Sequence, residues 1–161
     1  MYKSQRIGIA LVLLTLLAAT VIEAAILQDK NSLIGTWVAN IEKSKRHPNH
    51  LFKSARLRFS IADNVMVMTL SGVNMSGAEE SGNTVFHPDG KEHPLPAVQG
   101  AVEVSGWVNA QKLHTVVTQN GKIIGESTYE VSGDGKTLTA TLKGADASGA
   151  AFEQIIVCDR E

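Results

Sequence analysis

The stretch LIGTWVANIEKSK, residues 33–45, decides the fold, because its Gly-Thr-Trp triplet opens what reads as the first strand of a long antiparallel series. Side chains alternate in β structure, so Leu33, Gly35, Trp37 and Ala39 share one face and Ile34, Thr36, Val38 and Asn40 the other. A large indole beside a glycine suits the end of a small barrel. The ring can close the floor, and Gly35 lets a neighbouring backbone pass close to it. The same residues also fit an ordinary core tryptophan in a first strand.

Downstream, residues 42–54 (EKSKRHPNHLFKS) are polar and basic and contain Pro48, so they read as a connecting loop. Residues 56–61 alternate, with Leu57, Phe59 and Ile61 on one face and Arg56, Arg58 and Ser60 on the other, the pattern of a half-buried strand. Asp63-Asn64 predicts a tight turn before VMVMTL (65–70), which is apolar on both faces and puts Met66 and Met68 on the same one. A Gly- and Ser-rich turn spans 72–81, and a short strand follows at 82–87. The Pro-Asp-Gly-Lys turn at 88–91 and the His-Pro-Leu-Pro run at 93–96 exclude a central strand, because proline donates no backbone hydrogen bond. This middle third reads as a rim loop.

The last third is more regular. Residues 102–108, 113–119, 123–131, 137–143 and 151–158 read as five strands joined by turns that include Asn120-Gly121 and Asp134-Gly135, dipeptides suited to positive φ in hairpins. TLSGVNMSGA (69–78) and TLKGADASGA (141–150) agree at six of ten positions, so one strand-to-turn device is used twice, with Asn74 matched to Asp146. No stretch after the leader has helical periodicity with caps and length. The expectation is an all-β protein of about eight to ten strands, an antiparallel up-and-down β-barrel, with a two-sheet sandwich as the alternative. Closure is preferred because it removes sheet edges that nothing else in this chain covers.

At the other end, Lys3 and Arg6 precede a sixteen-residue uncharged, mostly apolar run (7–22) and then Glu23-Ala24-Ala25. This is the layout of a secretory signal peptide, expected to occupy residues 1–24 and leave 25–161 as one domain, secreted or periplasmic. The run is short of the length a spanning helix needs, so no stable membrane anchor is expected after cleavage. No cysteine lies near the cleavage site, and the one cysteine, Cys158, has no partner for an intramolecular disulfide. Thirteen basic and fifteen acidic side chains remain once Lys3, Arg6 and Glu23 are removed. No basic stripe interleaved with aromatics appears, which argues against nucleic acid.

Catalytic patterns are missing as well. None of the Ser-Gly pairs has the setting of a nucleophile elbow, and Cys158 defines no dyad with the scattered histidines. His47-x-x-His50 lies in a proline-containing loop, and His87 and His93 could converge across a turn, but neither pair makes the four-ligand set of a closed zinc site. No metal, cofactor or enzymatic activity is expected.

The Gly-x-Trp opening followed by an antiparallel meander resembles the calycin group, which includes the lipocalins and fatty-acid-binding proteins. GTWVANIEKSK, PDGKEHPL and NGKIIGESTYEVSGDGKTLTATLKGADASG are similar to a family of secreted bacterial lipocalin-like proteins. The lipocalin pattern implies an arginine near the barrel's end packed over the tryptophan, and Arg160 is the arginine at that position. Gly35, Trp37 and Arg160 are therefore the expected barrel floor. The chain departs from the fatty-acid-binding proteins in two ways: it lacks their helix-turn-helix lid, and it lacks the Arg-x-Tyr carboxylate clamp of their last strand.

The functional expectation is a non-enzymatic barrel holding a small apolar or amphipathic ligand, with Phe59, Met66, Met68, Phe86, Trp107, Tyr129 and Phe152 as candidate lining. The rival is a barrel filled by its own side chains, serving as a protein-interaction or scaffold module of the cell envelope through the 42–54 and 88–96 loops.

Overall fold

Period-two alternation becomes strand almost everywhere it occurs. A computed structural model describes residues 31–145 and 149–161. Its strands are β1 (Gly35–Ala39), β2 (Phe52–Ala62), β3 (Val65–Asn74), β4 (Glu79–Phe86), β5 (Glu92–Pro94), β6 (Ala101–Asn109), β7 (Lys112–Gln119), β8 (Lys122–Val131), β9 (Thr137–Ala145) and β10 (Ala151–Arg160). All pair antiparallel in one sheet of order β4-β3-β2-β1-β10-β9-β8-β7-β6-β5. Because β1 pairs with β10, with Trp37 opposite Arg160, the meander wraps into an up-and-down barrel. The leader (1–24) and the Asp146 part of the internal repeat lie outside the described residues.

Several expectations change in detail. The strand expected at 56–61 starts at Phe52, and the turn expected over 72–81 shrinks to the four residues between β3 and β4. Glycine and serine at 71–72 and 81–82 stay in the ladder because their cross-strand pairs persist to Val73 opposite Glu79. Closure by hydrogen bonds is incomplete, since β4 and β5 end the sheet and do not pair with each other. The cause is local: Pro88, Pro94 and Pro96 cannot donate to a ladder, so β5 is three residues long and pairs only with β6. Glu79 and Glu80 on β4 put charge on the other free edge, a device that discourages pairing with another chain.

The tightest hairpin is set by Asp63 and Asn64, both with positive φ (48° and 65°), as a two-residue turn of that hand requires. Asn120 (φ 50°) and Gly121 (φ 74°) repeat the solution between β7 and β8.

The core is unevenly placed. Leu33, Trp37, Phe59, Met66, Phe86, Leu113, Leu138 and Cys158 are at most 2% exposed. Leu33 precedes β1, and the others come from the inward rows near the end where β2 turns into β3 and β8 into β9. That end is packed solid. Its seal is Arg160, whose guanidinium lies 4.1 Å from the centre of the Trp37 ring. Arg160 also donates to the carbonyls of Ser32 (2.5 Å), Ile34 (3.2 Å) and Gly135 (2.6 Å), while the indole N–H donates to Leu33 O at 3.0 Å. Gly35 has φ 134°, and a Cβ there would stand 2.9 Å from Arg160 Nη1, so both backbone shape and space call for glycine.

Candidate functional site

The inward rows shrink toward the other end. On β4 the row runs Phe86, Thr84, Gly82; on β3 it runs Met66, Met68, Leu70, Gly72; on β9 it runs Leu138, Ala140, Leu142, Gly144. Large side chains therefore fill the sealed end, and small ones leave a cavity of about 560 Å³ above them. That volume lies within the usual range for small-molecule sites. Its walls come from β2, β3, β4, β8, β9 and β10, with Leu57, Met68, Tyr129, Ala140, Leu142 and Ile156 at its depth.

The mouth is covered on one side by the 40–51 segment. Backbone bonds tie it to β10, from Asn40 N to Val157 O (2.7 Å) and reciprocally between Lys45 and Ile155 (2.8 Å each). Ser44 Oγ accepts from Val157 N at 3.0 Å, and Asn40 Nδ2 donates to Asp159 at 2.7 Å. The expected loop here contains a single 3-10 turn, Pro48–His50, with proline at its start where the missing N–H costs nothing. The turn brings Asn49, His50 and Leu51 onto the cavity. The rings of His47 and His50 pack against Phe152 with centroids 5.5 and 4.9 Å away, and Arg46 donates to Phe52 O at 2.6 Å while lying over the Phe52 ring.

Of the seven side chains named from sequence, Met68 and Tyr129 border the cavity. Phe59, Met66 and Phe86 lie beneath it in the packed end, where Phe59 and Phe86 each meet the Tyr129 ring edge-on at 5.4 and 5.5 Å. Trp107 is half-buried against that core. Phe152 belongs to the aromatic cluster at the mouth. Sequence reasoning passed over Leu57, Ala140, Leu142, Gln154 and Ile156. The alternation Phe152, Gln154, Ile156, Cys158 was the available signal, and choosing by aromatic bulk favoured residues that fill space over residues that surround it.

A polar cluster lies outside the cavity's lining. Glu103, Ser105 and Thr115 on β6 and β7 are buried, with Ser105 Oγ donating to Glu103 at 2.6 Å and lying 2.8 Å from Thr115 Oγ1. Burial pushes the Tyr129 phenol up to about 12; the Glu103 charge adds to this, and a hydrogen bond with Ser127 opposes it. The phenol is therefore a neutral cavity wall at physiological pH. Gln154 contributes the opposite kind of group: its buried Oε1 has no hydrogen-bond partner among the described residues.

Other concavities lie outside the lumen. One of about 640 Å³ runs across the outer face of β1–β4, past Val38, Arg56 and Ser71, and meets the lumen's lining at Ser54, Ala55, Gly72, Val73 and Glu80. Another, of about 340 Å³, occupies the gap between β4 and β5. There the His87 and His93 rings converge as a stack, 3.9 Å apart, and His93 Nε2 is 3.0 Å from Asp89.

No family model matches the sequence, and no curated protein matches it. Solved structures do. The fluorescent protein UnaG aligns with TM-score 0.52 and 18% identity over 80% of this chain and 96% of UnaG. A point mutant of UnaG gives 0.53 and 18% identity over 81% of this chain and 96% of the mutant chain. A protein described as the REP1-NXSQ fatty acid transporter aligns at TM-score 0.51 with 8% identity, over 80% of this chain and 96% of that one. Identities this low speak to architecture, and the architecture agrees: the chain has the calycin-type up-and-down β-barrel fold.

Proposed function

We propose that the protein is an exported, non-enzymatic carrier that holds a small apolar or amphipathic molecule in the open half of its barrel. The observation that carries this reading is the 560 Å³ cavity, bounded by inward strand faces and floored by Tyr129 and Met68. Burial of apolar ligand surface there contributes about 25 cal/mol per Å², offset by the ordering cost of binding. Met68 and Tyr129, with Leu57, Ala140, Leu142 and Ile156, touch the ligand. Phe59, Met66, Phe86 and Trp107 support the floor, and Phe152 packs the mouth. Solved structures of the same fold include one described as a fatty acid transporter. The leader pattern of residues 1–24 supports export, and the mass of the chain recovered from the medium or periplasm would locate the cut.

The test is native mass spectrometry of protein purified from an exporting host, followed by titration with the neutral fluorophore Nile red. A stoichiometric co-purified lipid, or saturable probe binding lost in Thr84→Trp, is the expected outcome. A bare mass without saturable binding would reject the carrier and direct attention to protein partners of the 42–54 and 88–96 loops.

A further inference from the structure

The concavity of about 340 Å³ between β4 and β5 shares only Thr84 with the lumen's lining. Val85, Pro94, Leu95 and Pro96 give it apolar walls, and the stacked His87 and His93 rings line it as well. Its one carboxylate is Glu103, which stands opposite His93 in the β5–β6 ladder and so shares a face with it. Glu103 is 3% exposed, yet among the described residues it forms no ion pair. His93 Nε2 is directed instead at Asp89, 3.0 Å away. The Glu103 carboxylate accepts one hydrogen bond, from Ser105 Oγ to Oε1 at 2.6 Å, and none at Oε2. That second oxygen is not sealed in: Gln154 Oε1 is the one described side-chain atom both enclosed and unpartnered, so Glu103 Oε2 keeps surface open to the concavity it lines. A carboxylate held at this depth without a counter-charge is costly, and an ammonium group that reaches it offsets the cost through a charge-assisted hydrogen bond.

We propose that this gap is a second binding site, for a small organic amine whose ammonium group pairs with Glu103 Oε2 while its carbon skeleton lies against Val85, Pro94 and Leu95. Neutral and anionic molecules of similar shape are rejected because neither supplies the missing charge. Among the described residues no three metal-ligating side chains converge, so an organic cation rather than a metal ion fits the gap. The space exists because β5 is three residues long and β4 has no partner on that side. The site stands apart from the lumen and does not depend on the carrier reading.

The experiment is an NMR titration of backbone amides in the purified protein at neutral pH with three probes of similar shape: 2-phenylethylamine, 2-phenylethanol and 3-phenylpropanoate. The amine should bind saturably, at least about tenfold more tightly than the alcohol or the carboxylate, and shift the amides of His87, His93, Leu95 and Glu103. In Glu103→Gln, which keeps the side chain's shape and an acceptor for Ser105, the amine should fall to the level of the alcohol while the alcohol is unchanged. Misfolding does not produce so selective a loss. Val85→Trp, at an exposed position beside the gap, should block the amine and leave Nile red titration of the lumen as it was. An alcohol or carboxylate binding as tightly as the amine would overturn the proposal, as would an amine preference that survives Glu103→Gln or amine binding unchanged in Val85→Trp. So would amine shifts confined to lumen residues such as Met68 and Leu142, or no saturable amine binding at all. Each of these results leaves the carrier reading intact, because Nile red reports on the lumen separately.

Discussion

The two ends of the barrel are made by the same strands, yet one is solid and the other hollow. Along β4 the inward row loses a ring and then its side chain altogether between Phe86 and Gly82, and β3 and β9 likewise reach glycine at Gly72 and Gly144. The ladders run through both halves, with irregularities at Phe52/Ser54 and Val117/Thr118 toward the open end, and side-chain volume falls along the same rows. A small barrel has room for either a packed core or a ligand. This chain divides the space, placing stability at the Trp37–Arg160 end and the cavity at the 48–50 turn.

The largest effect should come from Trp37→Ala. Removing a fully buried indole that also anchors Arg160 is expected to cost about 3–5 kcal/mol, read from denaturant unfolding. A loss below about 1 kcal/mol would contradict a floor built on this ring. The comparison sharpens within one strand: Leu138→Ala at the packed end should cost about 2–4 kcal/mol, whereas Leu142→Ala, which only enlarges an existing cavity, should cost about 1 kcal/mol or less. Equal losses at the two sites would mean that the halves are not energetically distinct.

Alkaline pH probes the boundary between them. The Tyr129 phenol sits at about 12 in the folded protein against an ordinary 10.0, so the folded state holds a proton that the unfolded chain releases. Its stabilising contribution is complete below pH 10 and is lost as pH rises through about 12, on the order of 2–3 kcal/mol in total. Tyr129→Phe should flatten that decline in unfolding curves measured across this window. The smallest effect is kinetic. Burial pushes the Cys158 thiol up to about 12 and shields it, so a thiol reagent at neutral pH should label it only at the rate of unfolding. Rapid labelling of the native protein would show that the packed end opens locally.

Much of the fold was legible because its signals are local. Alternation at Leu57 and Phe59, the Asp63-Asn64 and Asn120-Gly121 turns, and the prolines at 94 and 96 each act through backbone chemistry within a few residues. The cavity was less legible. Alternation gives the face of a strand but not the height at which a side chain sits in the barrel, and height separates Phe59 and Phe86, in the packed end, from Met68 and Tyr129, on the cavity. The 40–51 segment was similarly opaque, since its placement depends on bonds to β10 more than a hundred residues away, such as Ser44 to Val157.

The sequence by itself determined that the chain is all-β, where most hairpins turn, and which glycine and tryptophan were candidates for the floor, because those choices follow from period, propensity and short-range turn chemistry; Arg160 was implied by the resemblance to the lipocalin pattern. Tertiary structure alone decided that Arg160 reaches three carbonyls while covering Trp37, and that Phe59 and Phe86 fall in the packed end while Met68 and Tyr129 border the cavity. Each of these depends on how inward rows from distant strands stack at one height, which the closing of the sheet fixes and no single strand contains.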